Sequence, residues 1–70
     1  MFTEGKMKVI WYVCDGNVEE YNGQEADWNK SVLVFARSPE DALLKVMKYH
    51  LRLLERIGIK WCGKEIEVIS

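Results

Sequence analysis

The thiol and imidazole side chains of this chain, the groups most suited to zinc ligation or to a nucleophile with its base, are Cys14, His50 and Cys62. Two thiolates and one imidazole are part of a structural zinc set, whose ligands usually come as closely spaced pairs along the chain. Here there is no CxxC pair and no second histidine. Cys14 with His50 and a carboxylate would make a nucleophile and its base, but no spacing ties them together. "DGNVEEYNGQEA" opens like a calcium loop, with Asp15, Asn17 and Glu19 at alternate positions. Glu20 then stands where that loop needs glycine, and Ala26 where it needs an acid. "CDGN" and "YNGQ" read as turns, not as a phosphate-cradling loop. The expectation is no enzyme, no metal and no cofactor, because no acid–base pair with mutually tuned pKa values can be named. His50 is expected to be a core histidine, bonded to a carbonyl or to water.

The elements that would position these residues are easier to read. "KMKVIWYVC" and "SVLVFARS" are strand-like, over about 6–14 and 31–37. The second is apolar on both faces and is expected in the middle of a sheet. In "RSPEDALL", Ser38 suits a helix N-cap, Pro39 the first helical position, and Glu40 and Asp41 the positive end of the dipole. Asp41, three residues after the cap, makes a variant capping box. Apolar periodicity carries the predicted helix over 39–57, with Arg56 in its last turn and Gly58 as the C′ residue. At 100° per residue, Ala42, Leu43, Val46, Met47, Leu53, Leu54 and Ile57 fall on one side. Lys45, Lys48, Arg52 and Arg56 fall on the other, and Leu44 and Leu51 on the margin. "GIKWCGKEIEVIS", residues 59–69 with their flanks, is expected to be a hairpin turning at Gly63-Lys64, or a single strand from Lys64 to Ile69 with "GIKWC" as loop. The predicted hairpin register sets Lys60 against Glu67 and sorts Ile59, Trp61, Ile66 and Val68 onto one face.

The order β-β-α-β-β implies a two-layer α+β domain, with an antiparallel sheet of three to four strands and one helix packed on one face. Seventy residues are enough for one domain, 1–70, near the lower size limit for folding alone. A net charge of −1 argues against bulk electrostatic capture of nucleic acid or of an acidic membrane. The longest apolar run, "VIWYVC", is far short of the roughly 20 residues of a membrane span. With no signal-like start and only two cysteines, a cytoplasmic location with both thiols reduced is expected.

Three surfaces are candidates for a partner. The first is the predicted acidic loop 15–30, too long for an idle connection. It carries Glu19, Glu20, Glu25 and Asp27 with the aromatic anchors Tyr21 and Trp28, and would suit a basic surface on another protein. The plainer alternative is a hairpin extension turning at Asn22-Gly23, with its aromatics folded onto the sheet. The second is the 3-4-3 spaced seam Leu44, Met47, Leu51 and Leu54, which suits self-association as a homodimer. The third is the outer sheet face. There Tyr12 and Phe35, flanked by Lys8, Arg37 and Lys60, would stack the bases of single-stranded nucleic acid, with Glu65 and Glu67 opposing.

The segment "VLVFARSPEDALLK", Val32 to Lys45, resembles the strand–turn–helix unit of small phage- and prophage-encoded α+β proteins, some of them anti-CRISPR-type inhibitors of host defence. That resemblance implies a stoichiometric binding protein and carries over no functional residue. The expected function is therefore a non-enzymatic protein-binding module, concretely a phage-type regulator or inhibitor. A single-stranded nucleic-acid binder is the alternative.

Overall fold

The computed structural model describes residues 7–25, 27 and 29–70. Over these the chain runs β1 (Val9–Cys14), β2 (Asn17–Glu20), β3 (Ser31–Ala36), α1 (Pro39–His50), β4 (Arg56–Trp61) and β5 (Lys64–Ile69). The strands form one open sheet in the order β2-β1-β3-β5-β4, with β3 central as its two apolar faces require. The α+β class holds. The sheet has five strands, not three or four, and it is mixed: β3 and β5 run parallel, joined at Val34 and Ile69. After α1 the chain passes to the outer edge, and the β4–β5 hairpin then returns β5 beside β3.

The extra strand comes from the acidic stretch. Asp15 (φ 50°) and Gly16 (φ 82°) form a two-residue turn with both central φ values positive, the primed geometry whose twist suits a hairpin. Beyond it Asn17–Glu20 pair with β1, Val13 facing Val18 and Trp11 facing Glu20. Residues 15–30 are thus not one loop, and the turn lies at Asp15-Gly16, not at Asn22-Gly23. The second hairpin repeats the device with Cys62 (φ 50°) and Gly63 (φ 80°). Trp61 therefore faces Lys64, and Lys60 faces Glu65 where Glu67 was expected. This register is two residues from the predicted one, an even shift, so within the hairpin Ile59, Trp61, Ile66 and Val68 still share one face.

The helix starts as its sequence dictates. The Ser38 hydroxyl accepts from the Asp41 amide at 3.1 Å. The Asp41 carboxylate reaches back to the Arg37 amide at 3.3 Å, one residue before the cap. The helix ends seven residues before the predicted Ile57. Arg52, at φ 64°, takes the left-handed position, donating to the Tyr49 carbonyl, while Leu53 donates to that of Lys48. This is the Schellman closure, made here without glycine. Gly58 lies inside β4, opposite Glu67.

A helix of twelve residues buries a different stripe from one of nineteen. Ala42 is buried, and Val46 and Tyr49 pack beside it on Val13, Val34, Ala36 and Ile69. Lys45 lies in the same stripe, its ammonium donating to the Phe35 carbonyl at 2.8 Å. His50, expected in the core, is exposed at the helix end, and Met47 is exposed as well. The helix therefore sits rotated from the predicted phase, which was weighted by apolar residues that are not helical. On the other sheet face Ile10, Leu33 and Val68 form a second buried cluster, ringed by Tyr12, Tyr21, Phe35, Ile59, Trp61 and Ile66.

Candidate functional site

The outer face of α1 is the most unusual surface of the fold. Leu44, Met47 and Leu51 are 47%, 62% and 70% exposed, on the side opposite Ala42, Val46 and Tyr49. Leu43 lies next to them, also exposed. Soluble chains scatter single apolar residues over their surfaces, but a contiguous stripe is a contact surface in waiting. Leu54, the fourth member of the predicted seam, does not belong to it. The helix has ended by then, and Leu54 turns inward onto the helix-side core.

The acidic arm is divided among several environments. Glu19 and Glu20 are exposed on the edge strand β2, where charge blunts an unpaired edge. Glu19 accepts from the Gln24 side-chain amide at 2.9 Å. Tyr21 is half-buried, its ring 5.0 Å from that of Trp61, and its amide continues the β1–β2 pairing by donating to Ile10. Residues 21–23 thus lie over the helix-free face. Gly23, at φ 89°, passes so close that a Cβ there would meet the Trp61 ring at 3.3 Å. Glu25 is exposed. Asp27 organises its own turn, accepting from the Asn29 amide at 3.0 Å while its carbonyl takes the Ser31 hydroxyl. Trp28 lies outside the described residues, as does Lys6 of the expected first strand.

The aromatic face is regrouped. Tyr12 and Phe35 share the helix-free face with Ile59, Trp61, Ile66 and Val68. Alternation from these residues puts Lys60, Glu65 and Glu67 on the helix side, so the two opposing acids leave the aromatic face and one expected base leaves with them. Lys60 borders that face only at its rim. Lys8 stays, its ammonium 5.7 Å from the Phe35 ring centre. Arg37 is exposed just past β3. Lys8, Arg37 and Lys48 all press on Lys45, whose pKa is lowered first by burial and then by these charges, while Asp41 partly restores it. Trp61 was not among the expected site residues. Its place opposite Tyr21 depends on a curl of the sheet that strand patterns do not reveal.

Cys14 is half-buried on β1, Cys62 is exposed in a hairpin turn, and His50 is exposed at the end of α1. Among the described residues no three His, Cys, Asp or Glu side chains converge as a metal site would require. None of the described helices is long and apolar enough to cross a membrane. Comparison with protein-family models, with curated proteins and with solved structures finds no match.

Proposed function

We propose that this chain is a non-enzymatic protein-binding module whose contact surface is the outer face of α1. The observation that carries the reading is the exposed stripe of Leu44, Met47 and Leu51, with Leu43 beside it, on the fold's one described helix. A helix that lays apolar residues at three- and four-residue spacing into a neighbour is a recurrent recognition mode. The exposed acids Glu19, Glu20, Glu25 and Asp27 form a second, polar surface suited to steering a partner with a basic patch. Tyr21 supports it from below as a packing residue. A phage-type regulator or inhibitor of a host protein, acting in the cytoplasm, is the most concrete form of this reading. That step rests on the resemblance of Val32–Lys45 alone.

The test is binding by the full chain against Leu44→Lys/Leu51→Lys, two exposed positions where lysine leaves the core intact. A helix-face module loses its bound protein in the double variant while its circular dichroism and melting temperature hold. Equal binding by the two chains would overturn the reading.

A second reading has one observation in its favour. By alternation Glu65 and Glu67 turn from the rings of Tyr12, Phe35 and Trp61 and border that face only in the recess beside Tyr21 and Ile66, which lessens their opposition to stacking with a single-stranded nucleic acid. Against it, these rings are half-buried on the cluster of Ile10, Leu33 and Val68 and the chain's net charge is −1.

A further inference from the structure

We infer that the outer face of α1 pairs with the same face of a second copy of this chain, the two helices antiparallel about a twofold axis near Met47. This rests on the reading of that face as a protein-binding surface and names its partner. In a twofold contact, residue i meets j and j meets i, so a patch pairs with itself only if it is self-complementary. The stripe meets that condition. With Met47 at the axis, Leu44 of one copy comes over the partner's Leu51 and Leu51 over the partner's Leu44, so apolar meets apolar throughout. The three- and four-residue spacing is the one that lets two helices interlock along a seam.

The charges select the direction. The first turn of α1 is acidic, with Glu40 and Asp41, and the last is basic, with Lys48 and His50. Exposed Arg52 follows at once in the left-handed closing position. Antiparallel pairing brings Glu40 of each copy toward the partner's Arg52, with Lys48 left beside the axis, whereas parallel pairing would set Glu40 against Glu40 and Arg52 against Arg52. The arrangement that suits each helix's own dipole thus makes the antiparallel dimer the complementary one. The stripe runs the length of a helix only about 18 Å long. The contact is therefore small and a micromolar association is expected.

Sedimentation equilibrium of the full chain over roughly 10 to 500 micromolar tests this. The mass is expected to rise toward twice that of the chain, and Leu44→Lys/Leu51→Lys is expected to stay monomeric with an unchanged melt. Two charge variants test the direction. Glu40→Lys alone and Arg52→Glu alone should each pair several-fold more weakly than the unaltered chain. Mixed together they should form heterodimers in preference to either self-pair, because both salt contacts are then restored. A wild-type chain that stays monomeric throughout overturns the inference, as does a dimer that survives the two lysines. A mixture with no preference for heterodimers overturns the antiparallel arrangement. A monomer that still captures another protein through Leu44 and Leu51 would sink self-pairing alone. A monomer whose binding ignores those leucines would sink the protein-binding reading as well.

Discussion

Three residues other than glycine hold a positive φ among those described, Asp15, Arg52 and Cys62, and each closes an element. An L-residue in that region is destabilised by roughly 1–2 kcal/mol relative to its ordinary conformations, with Asn and Asp least affected. Asp15 suits its hairpin, since Asp-Gly is a preferred primed turn. Arg52 does not suit its place. Arg52→Gly is expected to raise stability by about 0.5–1 kcal/mol, read as a higher urea midpoint at unchanged slope. Cys62→Asn should act in the same direction, because Asn-Gly is a favoured pair for this turn. A lower midpoint in either would mean that the native side chain makes a contact that outweighs the backbone strain. The same residues explain a failure of sequence reading. Helix ends are recognised by glycine, and α1 ends on arginine while Gly58 lies in a strand, so the stop at Leu51 left no mark in residue type.

Lys45 adds a pH dependence at the same scale. Its pKa is lowered from the usual 10.5, first by burial and then by nearby cations. Below the folded value both states hold the proton, and the burial of a charged Lys45 counts fully against the fold. Between the folded value and 10.5 the unfolded chain binds more protons, so this residue's contribution to stability rises with pH. Relative to Lys45→Met, the unaltered chain should gain stability as pH climbs through that window. A constant difference between the two in urea titrations would show that the lysine is not desolvated in solution.

At the scale of elements, what was legible followed periodicity and caps. β1 and β3 came from their short runs of β-branched and aromatic residues, and the start of α1 from Ser38, Pro39 and Asp41. β2 did not, because "NVEE" has one apolar residue and no alternation. An edge strand packs little and carries charge instead, so it lacks the signal by which strands are read. The primed turn at Asp15-Gly16 was the available clue. Loss of β2 has a measurable consequence. Replacing residues 17–28 with a tight turn would spare the fold if they were a free loop. They include an edge strand, Val18 against the helix-side core, and Tyr21 against Trp61. The shortened chain is expected to melt many degrees lower, and an unchanged melt would return these residues to the status of an ornament. Trp61→Ala should destabilise by about 2–3 kcal/mol, less than the roughly 3–5 of a fully buried tryptophan because the ring is only half-buried.

At the scale of the whole molecule, one helix faces a five-stranded sheet that has two apolar faces. The chain resolves this with two small cores: α1 covers one, and the curl of the sheet with Tyr21 and Gly23 covers the other. That solution was half legible. The need to cover a second face followed from the pattern of β3, but the means of covering it did not, because the Tyr21–Trp61 contact joins residues forty positions apart near opposite edges of the sheet. With both sheet faces largely covered, the contiguous exposed apolar stripe lies on the outside of the helix, while Met7, Leu53 and Ile57 are exposed outside α1, and this is why that face ranks above the aromatic one as a contact surface.

The ranking can be checked directly. A nucleic-acid site on the aromatic face would draw its electrostatic attraction from Lys8 and Arg37, with Lys60 at the rim. Each phosphate neutralised on a single strand steepens the fall of log affinity with log salt by about 0.7. Binding that falls steeply from low to moderate salt, and loses slope in Lys8→Ala/Arg37→Ala, would therefore put the site on that face and overturn the ranking. Both positions are exposed, so the double variant should keep its fold and the slope can be read without a change in stability. The geometry leads us to expect no such slope. Stacking a base on Phe35 or Trp61 would require the rings to separate from neighbours they already touch, and Lys8 already lies over the face of Phe35. The same titration repeated with Leu44→Lys/Leu51→Lys gives the control. Those substitutions add positive charge on the other side of the molecule, so an increase there alone would mark nonspecific attraction and leave the helix face as the surface built for a partner.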